Sequence, residues 1–406
     1  MSVLNHVCLT IVDCEHKTAP IQDSGIPCIR TTDIKNGVID FQGANKVSED
    51  IYKEWTYRLE PQSYDLILAR EAPVGQVGII PNRQQACLGQ RTVLIRPNKE
   101  KIYPHYLLYL LLSPEIQHEM KIRSSGSTVE HLNMFDIRGL ELPELPQLKI
   151  QKEIGDTLAN LDAKIENLRS QNQTLEKIAQ TLFDRWFIDF EFPNDSGEPY
   201  KSSGGSMVPS ELGDIPDGWR VGNLGGLGKN TKNGIRENDI KSEMLYIGLE
   251  HIPRKQIALD SWSNALNIGS NKSCFCKGDI LFGKLRPYFH KVGVAFISGV
   301  CSTDILVIQP NQESDFGFLL MILSSNEFIN YVSLASEGTR MPRTSWQYMQ
   351  DYPVCIPDIN IINSFNNLLM IFVEKMETNV FQIQTLTKTR DTLLPKLMSG
   401  QIRVAE

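Results

Sequence analysis

Among its 406 residues the chain has no CxxC pair, although it holds eight cysteines, at Cys8, Cys14, Cys28, Cys87, Cys274, Cys276, Cys301 and Cys355. A chain of this size needs no disulfide framework, and Cys274-x-Cys276 lacks a second pair at zinc-finger spacing. Free thiols in a reducing cytoplasm and no metal site are expected. HExxH is missing and the seven histidines are isolated. No dinucleotide or S-adenosylmethionine-type glycine motif follows a strand, and no NPPY- or DPPY-like tetrapeptide offers a hold for a flipped base. The run GNLGGLGKN (222–230) fails as a phosphate loop. GxxxxGK[ST] needs glycine where Asn223 stands and Ser or Thr where Asn230 stands, so a glycine-rich turn is expected. There is no charged-then-apolar leader and no apolar run of ~18 residues, which argues against secretion and membrane spanning. The expectation is a cytoplasmic chain that is no enzyme and carries no cofactor.

What is present is ordinary in amount and unusual in order. Apolar residues make up 41% and charged residues 22%, typical of a globular protein, and the length suits two domains with connections. The net charge of −7 argues against a generic nucleic-acid coat. Residues 1–148 hold 15 basic and 18 acidic side chains, and residues 213–358 hold 14 and 15. Each half is near balance and has enough cations for one basic face.

Two heptad stretches organise the rest. From Lys149 onward, Ile154, Leu158, Leu161, Ile165, Leu168, Leu175 and Leu182 step by threes, fours and sevens, which lays one narrow apolar seam along a helix. About 211 residues later come Phe365, Leu369, Phe372, Met376, Ile383, Leu386, Leu393 and Leu397. Aligning Lys164 with Lys375 also aligns Gln173-Thr174-Leu175 with Gln384-Thr385-Leu386. Two unrelated amphipathic helices would not share that triplet.

The globular stretches repeat as well. GIPCIRTTDI (25–34), YDLILAR (64–70) and TVLIRP (92–97) read as strands, HYLLYLLLSPEI (105–116) as a buried helix. GDILFGK (278–284) matches YDLILAR at an offset of 214, placing Asp279 on Asp65, Lys284 on Arg70 and, further on, Cys301 on Cys87. DILVIQP (304–310) and FLLMILSSNEF (318–328) follow in the same order. The chain therefore reads as a duplicated unit, not a solenoid. The expected division is 1–148, a first long helix over 149–191, a flexible connector over 192–212, a second globular half over 213–358, and a second helix and tail over 359–406.

Basic residues recur at matching places. Arg70 and Lys284 each end a strand. Lys121, Arg123, Ser125, Ser127 and Thr128 form one loop cluster, and Thr339, Arg340, Arg343 and Thr344 form its counterpart. Arg or Lys beside Ser or Thr suits phosphate positioning and base-edge contacts. Lys17 and Arg286 complete the candidate DNA-binding set.

With IPDGWRVGNLG opening the second half, this order of segments resembles the specificity (S) subunit of type I restriction-modification enzymes. IVDCEHKTAP (11–20) is similar to that family's opening loop, with Cys14 where Gly is common. GEPYKSSGG ahead of PSELGDIPDGW resembles its linker, and TLLPKLMSGQIRV its C-terminus. The resemblance runs over essentially the whole chain. It implies an α+β fold of two tandem α/β target-recognition domains, each followed by a long helix, the helices forming an antiparallel coiled coil with pseudo-two-fold symmetry. It also implies that each domain reads one half of a split site in double-stranded DNA. Two modification (methyltransferase) subunits would methylate adenine, and restriction (translocase/nuclease) subunits would complete the complex. The other class left open is a scaffold or inhibitor that uses the coiled coil without reading DNA.

An antiparallel pair has one favoured register. Asn172 and Asn379 each interrupt a seam, and setting them opposite places Leu168 on Ile383, Leu175 on Met376, Ile165 on Leu386, Leu182 on Leu369 and Leu158 on Leu393. Leu161 then meets Arg390, whose stem is expected along the seam with its head in water. A buried Asn specifies register because slippage strands its amide. About 30 paired residues at ~1.5 Å each span roughly 45 Å, which sets the expected half-site centres slightly more than one ~34–36 Å DNA turn apart.

Overall fold

The structure is a computed structural model and describes residues 2–124, 130–231, 233–266, 268–334 and 341–403. It divides into two compact units, Met1–Lys164 with Leu386–Glu406, and Ile165–Thr385. Each unit is an α+β body that takes in a stretch of both long helices.

In the first unit a four-stranded antiparallel sheet runs in the order Cys8–Asp13, Thr92–Pro97, Leu66–Ala69, Val77–Ile79. Leu66 to Ala69 are buried on both faces, which is why this strand reads as a continuous apolar run. A smaller sheet pairs Ile26–Ile29 in parallel with Cys87–Leu88, Cys28 opposite Cys87. GIPCIRTTDI is thus a strand only at its start, because Asp33 accepts from the backbone and side chain of Arg30 and closes a 3-10 turn over Thr31–Asp33. The apolar run 105–116 is not one helix. It breaks at Ser113, which is extended because Pro114 follows, into Pro104–Leu112 and Pro114–Arg123.

The second unit repeats the plan. Gly228–Asn230, Ile305–Pro310, Ile280–Gly283 and Val292–Val294 form the matching sheet, and Leu245–Ile247 lies parallel to Gly299–Cys301. The glycine-rich run is a 3-10 turn, Leu224–Gly226, leading into the edge strand. The matched aspartates hold matching corners. Asp65 accepts from Gln62 N (2.9 Å) and from Arg96 Nη2 (2.7 Å), and Asp279 accepts from Cys276 N (2.7 Å) and Gln309 Nε2 (2.7 Å). Both carboxylates are buried, so these are structural groups.

Residues 192–212 are tied down, unlike a slack connector. Phe192 stacks on Tyr200 and Trp219 at 4.6 and 5.0 Å, and Met207–Ser210 forms a hairpin with Gly213–Pro216. Three stacked rings outweigh the glycines and serines around them.

The first long helix is Leu148–Phe183, ending in a π-turn over Asp184–Ile188, and the second is Ile359–Met398. Within the second unit they are antiparallel. Asn379 Nδ2 donates to Asn172 Oδ1 at 2.8 Å, while Phe183 meets Phe365 at 6.2 Å. Both asparagines are buried, at 5% and 0% exposure. The buried face is broader than a heptad seam. Ala179, Phe183, Val373 and Val380 are buried, whereas Leu175, Leu182 and Phe372 are only half-buried. A straight helix drifts by ~20° per heptad against a 3.5 repeat, and the globular body covers the flank that turns inward. In the first unit Arg390 does not reach for water. Its Nη1 lies 2.6 Å from Asp162 Oδ1, both side chains are mostly buried, and Tyr109 Oη donates to the other Asp162 oxygen at 2.6 Å.

Each long helix also presses on the globular helix beside it, and a glycine makes the room. A Cβ on Gly155 would lie 2.8 Å from Tyr106 N. In the second unit the glycine changes sides: Gly317 faces Asn366, whose Oδ1 accepts from Gly317 N at 2.9 Å.

Asn172→Ala strands the buried Asn379 amide and is expected to destabilise the chain by about 1–3 kcal/mol in denaturant unfolding. The double change Asn172→Leu with Asn379→Leu should recover most of that loss, since neither position then buries an unpaired polar group. Additive losses in the double variant would show that the two amides are not coupled.

Candidate nucleic-acid interface

After the strand Leu66–Ala69 the chain must turn away from the sheet, and it does the same after Ile280–Gly283. Arg70 N donates to Arg91 O (3.0 Å) and Lys284 N to Asp304 O (2.9 Å). Their carbonyls accept from Leu132 N (2.9 Å) and Thr344 N (3.0 Å). Glu71 bridges to His131, and Leu285 to Arg343. Each loop is thereby held against the segment that follows a short helix, Pro114–Arg123 in the first unit and Asn326–Leu334 in the second. The next residue but one is left-handed in both copies, Ala72 with φ 40° and Arg286 with φ 51°, and proline follows each. A third segment closes the frame: left-handed Asn36 (φ 48°) donates its N–H to Gln76 Oε1 at 2.9 Å, and left-handed Lys255 (φ 54°) donates to His290 O at 2.9 Å. Non-glycine residues in this region cost roughly 1–3 kcal/mol each and persist where the surroundings over-determine them, commonly at functional sites.

The side chains on this shared frame differ. In the first unit the loop reads Ala72-Pro73-Val74-Gly75-Gln76, and Gln117 Nε2 donates to Gly75 O at 2.8 Å. Ala72, Pro73, Val74, Gln117, His118, Lys121 and Glu130 line a cleft of about 590 Å³. In the second unit the loop reads Arg286-Pro287-Tyr288-Phe289-His290. The Arg254 guanidinium lies 4.0 Å from the Phe289 ring centre and that of Arg286 5.9 Å from it, while Tyr288 packs edge-on against Phe289 at 4.9 Å. Burial, then the neighbouring Arg254 charge, holds the Lys291 ammonium below its ordinary range. Burial likewise pushes the His290 imidazole below its ordinary range, and its Nε2 meets Ser324 O at 2.8 Å.

Lys17 is exposed on the loop after the first strand of the large sheet, and Lys121 is exposed on the cleft. Arg70, Lys284 and Arg286 are half-buried on the two frames, and the buried Nε atoms of Arg70 and Arg286 have no hydrogen-bond partner. Arg343 pairs with Asp304 at 3.1 Å on the surface. Arg123 is tied into the fold: its Nε meets Glu119 Oε1 at 2.7 Å, its Nη1 donates to Gly139 O at 2.9 Å, and Glu141 stands 3.5 Å from Nη2. Ser125, Ser127, Thr128, Thr339 and Arg340 lie outside the described residues. Sequence reasoning missed Arg254, Tyr288, Phe289 and Lys291. Carrying the 214-residue offset five residues past Arg70 would have set RPYF against APVG.

Among the described residues no group of three or more His, Cys, Asp or Glu side chains could hold a metal ion, and no helix is long and apolar enough to cross a membrane. The arrangement offers cations, amides and ring faces, which suit phosphate and base contacts.

Residues 15–177 match the family described as Type I restriction modification DNA specificity domain. The type I restriction enzyme MjaIX specificity subunit of Methanocaldococcus jannaschii is 28% identical over 94% of this chain and 88% of its own length. The HindI specificity subunit of Haemophilus influenzae is 24% identical over 76% of this chain and 80% of its own. In structure, the S subunit of a type I restriction-modification system from M. genitalium superposes with a TM-score of 0.53 at 15% identity, over 98% of this chain and 95% of that one. That likeness concerns the fold.

Arg123→Ala is expected to lower the denaturant midpoint, by the equivalent of about 1–3 kcal/mol, because it frees Gly139 O and two carboxylates. Lys121→Ala, an exposed change on the same helix, should leave the midpoint within about 0.5 kcal/mol of the parent. Equal midpoints would remove Arg123 from the fold and return it to the interface.

Proposed function

We propose that this chain, a member of the specificity subunits of type I restriction-modification enzymes, reads a split site in duplex DNA and forms or breaks no bond itself. Its partners in this reading are DNA and the other subunits of the system: two modification subunits that methylate adenine, and restriction subunits where cleavage follows. The working division is a reader over 1–148 and a reader over 213–358, with long helices over 149–191 and 359–406. The stretch 192–212 joins the two halves.

One observation carries the reading: matching backbone hydrogen bonds frame a loop in each unit, and the two loops bear different chemistry. A scaffold that only assembles partners has no need for two dissimilar loop tips on one strained frame. A reader of two unlike half-sites does. Lys17, Lys121, Lys284 and Arg343 suit phosphate contacts, and Arg70 and Arg286, half-buried on the frames, suit base edges. The overall negative charge is compatible with this, since only one face of each body need meet DNA.

Exchanging residues 213–358 for the corresponding stretch of a relative should alter one half of the methylated motif and leave the other unchanged. In the unexchanged complex, binding should fall steeply with salt while keeping a sequence preference. An exchange that altered both halves, or binding with neither salt slope nor preference, would contradict the reading.

A further inference from the structure

Resting on the reading above, we propose that the tip of the loop Arg286–His290, with exposed Tyr288 flanked by Phe289 and Arg254, is the base-reading element of the second unit. Tyr288 would stack on or wedge against a base while Arg254 addresses a base edge or the adjacent phosphate.

Backbone and side-chain hydrogen bonds hold the loop in place at both ends. Arg286 N donates to Pro342 O at 2.8 Å, and Leu285 bridges to Arg343. Lys255 N donates to His290 O at 2.9 Å, Phe289 N to Arg286 O at 2.9 Å, and the His290 ring reaches Ser324 O. Arg286 and His290 are both left-handed, so the tip enters and leaves through conformations that side chains other than glycine disfavour. Such a turn is a costly way to join two strands. It is well suited to keeping the Pro287–Phe289 turn from collapsing onto the sheet. Pro287 is buried beneath it, while Tyr288 is 53% exposed although it is one of the largest side chains in the unit.

The surroundings say what the ring would meet. Arg254 is exposed and makes no ion pair among the described residues, and its guanidinium is already ordered over Phe289 at 4.0 Å. Arg286 and Lys291 add positive charge on the same side, offset by Glu250, which interacts with Lys291. An exposed tyrosine ring packed edge-on against a ring that carries two guanidinium groups matches a stacked base beside its phosphate, since every base offers a π-face and every nucleotide an anion. The equivalent tip in the first unit, Ala72-Pro73-Val74-Gly75-Gln76, carries neither ring nor cation. The two tips therefore cannot read alike.

The test uses the complex of this chain with its modification subunits, and duplexes carrying the motif that the parent complex methylates. Tyr288→Ala should weaken cognate binding on the order of 10-fold and relax positions in one half of the motif only. Arg254→Gln should relax the same half and reduce the salt slope. Tyr288→Phe should keep the motif, because the ring face remains, and thermal unfolding of all three should match the parent. Unchanged affinity and motif in Tyr288→Ala, beside a parent that reads a split motif, would overturn this inference alone. Equal weakening of both halves would also overturn it, by making the tip a general positioning contact. A parent complex without any split preference would instead overturn the reading on which it rests.

Discussion

A helix with one apolar seam cannot bury that seam by itself, and this constraint shapes the chain. In the second unit the seam is closed by an antiparallel neighbour, and the hydrogen bond from Asn379 to Asn172, buried at 2.8 Å, sets the register there. Any slip would place each amide against hydrocarbon with no partner, a loss larger than the few apolar contacts a slipped register could regain. In the first unit a different polar group stands in the equivalent situation. Arg390, Asp162 and Tyr109 form a mostly buried chain of charge-assisted hydrogen bonds that ties the second helix, the first helix and the globular body together. Both helices also lie close against their globular bodies, and the glycine needed for the approach is on the long helix at Gly155 and on the body at Gly317.

On that base each unit carries a frame whose buried parts are alike and whose exposed parts are not. Asp65 and Asp279 anchor the same corner, Arg70 and Lys284 exchange the same backbone hydrogen bonds, and Ala72 and Arg286 both have positive φ. The tips then diverge into Val74 and Gly75 in one unit and Tyr288 and Phe289 in the other. The corner rests on buried groups and the tip is exposed, so the tip can change without disturbing the corner beneath it.

Much of this is legible in the amino-acid order, because duplication makes weak signals count twice. The strands ending at Arg70 and Lys284, the two aspartates and the two long helices all follow from matched spacing. Burial along the helices was harder to read, since a heptad count selects Leu175 and Leu182 while Ala179 and Phe183 go inside. Alanine carries little hydrophobic signal, and the covering surface belongs to residues distant in sequence. Composition also misled over 192–212, where three aromatic rings order a stretch rich in glycine and serine. Charge was ambiguous for a similar reason: Lys121 and Arg123 look equivalent in sequence, and only the positions of Glu119, Gly139 and Glu141 separate an exposed cation from a structural one.

Under the proposed function, one chain bears two different readers. Methylated-base mapping of a host genome with and without this protein, in the presence of its modification subunits, addresses it most directly. A chain with two readers yields a new adenine-methylated motif of two short defined parts, unlike in sequence and separated by a fixed number of unspecified base pairs. A single uninterrupted motif, or a methylation pattern that does not change when the chain is removed, would contradict it.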